Sequence, residues 1–171
     1  MYRRNRVANT RLDEETFLTV VDNTPLISID LVLRSPKNEV LLGLRNNRPA
    51  QGYWFVPGGR VRKDERIHDA FVRLCEVELG KPYRLEQARF LGPYEHLYSD
   101  NFAGAEGIST HYVVLGYELQ LAQSPACLDD QHSEQRWWSE AELLASNQVH
   151  PNTKAYFDAK YCAPLFGRTA M

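Results

Sequence analysis

The sequence predicts an α/β (α+β) domain, a mixed β-sheet with helices packed on it. Three observations carry this. Residues 26–34 alternate and are rich in branched side chains, as a strand demands. Residues 65–79 have the apolar period of one strong helix, closed by Gly80. The order of elements is strands, one helix, strands, then short terminal helices, which calls for a sheet with helices laid against it.

Residues 13–22 (DEETFLTVVD) predict a short helix with Phe17, Val20 and Val21 on one side, broken by Asn23-Thr24-Pro25. In the strand 26–34, Ile27, Ile29, Leu31 and Leu33 share one face and Leu26, Ser28, Asp30 and Val32 the other. Ser35-Pro36-Lys37-Asn38 is a turn, so 39–45 (EVLLGLR) returns as the second strand of a hairpin. A short third strand, YWFV, precedes the glycine-rich stretch 57–64, and Asp64 is predicted to cap the helix that follows. Long extended segments are predicted at 86–98 and 109–121, and helices at 139–146 and 150–161.

The chain has 171 residues, the size of one domain, with 1–12 expected as an N-terminal extension, 13–165 as the domain and 166–171 as a tail. Lys and Arg number 20 against 22 Asp and Glu, a net charge of -2. That balance exerts no global pull on nucleic acid or an anionic membrane, so an anionic ligand needs locally placed arginines. Cys75, Cys127 and Cys162 are odd in number and lack metal-ligand spacing, which favours a reducing cytoplasm over a disulfide framework. The N-terminus is basic but lacks the apolar stretch of a signal peptide, and no apolar run approaches the ~18 residues of a membrane span.

The helix 65–79 holds an anomaly. On a wheel centred at Ile67, Phe71 and Leu74 lie within about 40° and Glu78 within about 20°. Glu76 points the other way. A carboxylate in an apolar stripe is costly unless a cation or several donors meet it, and the negative end of the helix dipole adds to that cost. Either a metal ion meets Glu78, or the last turn frays and frees it. Just upstream, Gly58-Gly59 lets backbone approach a ligand closely.

Together these residues resemble the Nudix box, G-x5-E-x7-R-E-U-x-E-E-x-G-U, with U a bulky aliphatic residue. Gly59, Glu65, Arg73, Glu78 and Gly80 fall at its spacing, whereas Leu74, Val77 and Lys81 depart from it. The segments TPLISIDLVL, LLGLRNNRPAQGYWFVPGGRV, DNFAG, THYVVLGY, DDQH and NTKAYF are similar to one branch of that superfamily, the GDP-mannose mannosyl hydrolases. The resemblance implies a Nudix-type α/β/α sandwich. It implies one Mg²⁺ per subunit, replaceable by Mn²⁺, held by a carbonyl at Gly58, by Glu78 and by Gln131. It assigns the general base to His132, and sets Arg45, Arg60, Arg73, Asp30, His96 and Tyr112 around the diphosphate, sugar and metal. It implies a homodimer that hydrolyses GDP-mannose, and GDP-glucose, to GDP and free hexose with inversion at the anomeric carbon.

The residues themselves leave other readings open. Asp30 and Arg45 also suit a structural ion pair, Tyr112 plain packing, His96 a strand surface and His132 a solvated loop. His111 reads as structural, His68 and His150 as surface or capping residues, and Trp54, Trp137 and Trp138 as core or interface anchors. Two further functions compete: a Nudix pyrophosphatase that cuts a nucleotide sugar at phosphorus, and a degenerate domain that only binds one.

Overall fold

The computed structural model describes residues 12–123 and 132–161, with backbone alone at 132 and 133. Helix α1 (Glu14–Asn23) starts where Asp13 accepts from the Thr16 N–H. Strands β1 (Leu26–Arg34), β2 (Val40–Arg45), β3 (Trp54–Phe55) and β4 (Gly58–Arg60) follow, then helix α2 (Ile67–Leu79). Strands β5 (Arg89–Tyr98), β6 (Thr110–Gln120) and β7 (His132–Trp138) precede the short helices α3 (Glu140–Ala145) and α4 (Pro151–Lys154).

These seven strands form one mixed sheet in the order β3-β2-β1-β6-β5, with β4 paired to β1 and β7 to β2. Strands β1 and β6 run parallel from Leu26 opposite Tyr112 to Arg34 opposite Gln120, and the other pairs are antiparallel. Both faces are covered. Ile29, Leu31 and Leu33 pack with Phe71, Leu74 and Cys75 of α2 and with Tyr117 and Leu119. Val32, Val40 and Leu42 pack with Trp54, Trp138, Leu143 and Val149.

The sheet splits along β1. Arg34 still faces Val40 of β2, but residues 28–30 pair instead with β4, Asp30 opposite Gly58 and Ser28 opposite Arg60. Flanking bonds from Leu31 N–H to the Pro57 carbonyl (2.8 Å) and from Val61 N–H to the Ile27 carbonyl (2.9 Å) extend the ladder. Three residues of composition GGR have no strand preference of their own, so the sequence read them as a loop.

Three expectations are corrected. Asp64 does not cap α2: its φ is 63°, and Arg66 occupies the cap position without a side-chain bond. The Glu65 carboxylate accepts from the Arg62 N–H (2.8 Å) and grips Arg73, which winds 62–65 into a turn and delays the helix. Ile67, the reference of the apolar stripe, is 42% exposed, for the same reason. The helix expected at 150–161 ends at Lys154, because Tyr156 turns inward to a partner on β1. Elsewhere the agreement is close: Gly80 ends α2 in the left-handed region (φ 69°), and Ser139 forms a capping box with Glu142 on α3. Among the described residues no helix is long and apolar enough to cross a membrane.

The glycine pair makes contrasting demands. A Cβ at Gly58 would stand 2.4 Å from the Ile29 carbonyl oxygen, whereas one at Gly59 would meet only the tip of Leu74, at 2.8 Å. Urea unfolding should therefore give a loss of about 3 kcal/mol or more for Gly58→Ala, and under about 1.5 kcal/mol for Gly59→Ala, where a side chain can yield. Equal losses would show that the β1–β4 ladder does not depend on this contact.

Candidate active site

Register brings most of the expected residues to one region. Asp30 lies opposite both Gly58 and Gly116, and His96 opposite Tyr112, four residues from Gly116 along β6 and on the same face. Arg45, at the end of β2, is opposite the backbone of His132 on β7. The side chain of His132, and all of Gln131, lie outside the described residues.

Asp30 sits at the split in the sheet. Its Oδ2 accepts a hydrogen bond from the Tyr156 hydroxyl (2.8 Å). Its Oδ1 lies alongside Gly58, 2.9 Å from where a Cβ would be. Packing around the carboxyl raises its pKa to about 6, against the opposing pull of the Tyr156 hydroxyl and the Arg45 charge. The expected alternative of an Asp30–Arg45 ion pair does not form, since no carboxylate among the described residues lies within ion-pairing distance of Arg45. The Arg45 guanidinium instead lies over the Phe55 ring, 5.1 Å from its centroid. Its charge still reaches Asp30, His96, Tyr98, Tyr112 and His150.

His96 is 5% exposed and not a surface residue of its strand. Its Nε2 has no hydrogen-bond partner among the described residues. Burial first, then the charges of His150 and Arg45, lower its pKa to about 3, so the ring is neutral. His150 caps α4 through Nδ1, as a capping reading expects, and its ring stacks on Phe55 (4.6 Å between centroids). Tyr112 is held protonated by burial, in edge contact with Tyr98. His111, read as structural, meets Glu95 at 3.2 Å.

The basic residues divide. Arg60 is exposed, with its guanidinium 3.9 Å from the centroid of Phe17, which in turn packs on Phe102. Arg73 is bound by both Glu65 oxygens (2.6 and 2.8 Å) and by the Arg60 carbonyl (3.0 Å). In this structure it ties α2 to the loop behind β4. Glu78 is 1% exposed on the helix face that carries Phe71 and Leu74. Leu74 touches Gly59, so the same face looks onto the glycine pair. Val77, by contrast, is 47% exposed.

Sequence reasoning missed Tyr156, Tyr98 and the inward ring of His150. The segment NTKAYF carried Tyr156, but the residue it meets is 126 positions away. A weak signal existed in Gly116, a glycine mid-strand. A Cβ there would come within 3.0 Å of both Tyr156 and Tyr94.

The protonation of His96 has a measurable consequence. A group whose pKa is depressed on folding gives stability that is present above its unfolded pKa and lost as pH falls. Between pH 6 and 4, unfolding free energy of the natural protein should fall by about 1.4 kcal/mol per pH unit more than that of His96→Gln. Asp30, with a raised pKa, acts with the opposite sign and is common to both proteins. Parallel pH profiles would mean that His96 is charged in the folded protein.

A family model described as the NUDIX domain matches residues 24–160. The low-salt glycan biosynthesis protein Agl8 of Haloferax volcanii is 38% identical over 151 residues, spanning 88% of this chain and 91% of its own. The MutT protein from Methanosarcina mazei Go1 superposes with a TM-score of 0.64 at 21% identity, over 81% of this chain and 94% of that one. The NUDIX domain of Shewanella oneidensis NrtR, solved with ADP ribose, does so with a TM-score of 0.59 at 21% identity, over 87% and 97%. At these identities the two structures speak for the fold.

Proposed function

The chain belongs to the Nudix domain family, and from that premise we propose that it hydrolyses GDP-mannose, and with it GDP-glucose, to GDP and free hexose. Water attacks the anomeric carbon, with inversion. The observation that carries this reading is the face of α2. Of the four acid positions in the box, Glu65 is taken up by Arg73, Leu74 is buried against Gly59, Val77 is half exposed, and Glu78 is the one acid left on the buried face of α2. One buried carboxylate supports about one ion. Attack at phosphorus in a crowded dianion asks for more metal charge than that. Attack at carbon does not. The name of the Haloferax relative, a glycan biosynthesis protein, agrees with a substrate in which a sugar is activated on a nucleotide.

The donor set suits Mg²⁺ or Mn²⁺. The Glu78 carboxylate, a carbonyl at Gly58 and the Gln131 amide are all oxygen donors, as hard divalent ions require. When bound, such an ion supplies Lewis-acid stabilisation of the leaving diphosphate. The chain's own residues do the rest. Arg45 and Arg60 present planar guanidinium groups to the phosphates. Arg73 donates to the Arg60 carbonyl and to Glu65, and so fixes the end of β4 from which Arg60 projects. Asp30, His96 and Tyr112 line the sugar. His132 takes the proton of the attacking water, whose oxygen bonds to the anomeric carbon as the bond from that carbon to the phosphate oxygen breaks. The electron pair leaves on GDP. A base of this kind contributes ~10²–10⁴ in rate. The same reading carries a homodimer and a cytoplasmic setting.

Incubation with GDP-mannose and Mg²⁺ should yield GDP and mannose by chromatography. Glu78→Gln should lower kcat by ~10²-fold or more while the unfolding midpoint stays within a few degrees. GMP and mannose 1-phosphate as products would make the chain a pyrophosphatase, and tight binding without turnover a sensor. A Glu78→Gln protein that unfolds yet keeps normal activity per folded molecule would make Glu78 structural.

A further inference from the structure

The segment after α4 reaches Asp30 through the hydroxyl of Tyr156. Just beyond α4, Tyr156 turns under β5 and β6, and its OH donates to Asp30 Oδ2 at 2.8 Å. The ring is wedged against Tyr94 (4.5 Å between centroids) in space that exists because residue 116 is glycine. Its phenol is held protonated by burial and by the Asp30 charge beside it, so it is a fixed donor. The second oxygen, Oδ1, is left beside Gly58. No other hydrogen bond to the Asp30 carboxylate is made among the described residues. An aspartate with one anchor on one oxygen has one preferred orientation. Without the anchor its terminal torsion is broad.

We propose that Tyr156 is a positioning residue for the reaction: it pins Asp30 Oδ2 so that Oδ1 faces the glycine pair, where the substrate lies. This rests on the reading of Asp30 as part of the nucleotide-sugar site. Tyr156 itself touches no reacting atom. Its action is to remove the orientational freedom of a group that must meet the sugar in one geometry, and such freedom is expensive in rate. Gly116 is part of the same device, since any side chain there displaces the ring.

The test is Tyr156→Phe, which removes the hydroxyl and keeps the ring contacts. With GDP-mannose, kcat should fall by roughly 10- to 100-fold, and KM and the calorimetric affinity for GDP should stay within about twofold. In an Asp30→Ala background the same change should alter kcat by less than about twofold, because the group it positions is gone. Equal losses in both backgrounds, or a loss confined to KM, would overturn the proposal. A second readout does not depend on turnover. A crystal structure of Tyr156→Phe should show the Asp30 carboxylate in more than one orientation, and a single unchanged orientation with Oδ1 beside Gly58 would overturn the role even if the substrate proves to be another. Failure of the natural protein to release GDP from GDP-mannose strikes the functional reading alone.

Discussion

The rest of the molecule depends on the contact between Gly58 and the backbone of β1. Strand β4 enters the sheet only because a residue without a side chain can lie against the Ile29 carbonyl. That insertion pushes β2 away from the N-terminal half of β1 and opens the split in which Asp30 stands. It also brings Gly59 onto Leu74, on the face of α2 that carries Glu78. One backbone approach thus sets the Asp30 carboxylate beside Gly58 and the face of α2 that carries Glu78 against Gly59.

Electrostatics in that region are governed by burial and by Arg45. Burial disfavours charge on Asp30 and His96 alike, raising one pKa to about 6 and lowering the other to about 3. The Arg45 charge favours the anionic state of Asp30 and disfavours the cationic state of His96. The region is therefore kept with a positive guanidinium and a neutral imidazole. A guanidinium so placed suits the diphosphate of the proposed substrate and needs no excess of positive charge over the whole chain. The two histidines are neutral for stacking and capping, His150 against Phe55 and His96 among tyrosines.

Much of this was legible in residues whose partners are near in sequence. The alternation of 26–34 reproduces β1 to the residue, Gly80 and Ser139 mark helix ends by local chemistry, and the wheel that placed Glu78 inward is matched by its burial. What failed depended on contacts from afar. Asp64 has the chemistry of a cap, but the grip of Arg73 on Glu65, eight residues on, winds the turn past it. The helix at 150–161 has adequate local propensity, yet the Tyr156 hydroxyl gains more from a buried carboxylate on β1 than from continuing a helix. Strand β4 has no strand-like residues at all and exists through pairing. At the site, the sequence named Asp30, Arg45, His96 and Tyr112 through resemblance, and register then explains their assembly. For the tyrosines behind them the sequence held only the weak signal of Gly116 in mid-strand.

The central claim is which bond breaks, and the direct measurement is turnover of GDP-mannose in ¹⁸O-labelled water followed by mass spectrometry of both products. The proposed site, with one box carboxylate on α2, Arg45 and Arg60 for the diphosphate and His132 as the base, predicts the label in the hexose, with GDP unlabelled. Label in GMP or in mannose 1-phosphate would contradict the account and place the attack at phosphorus.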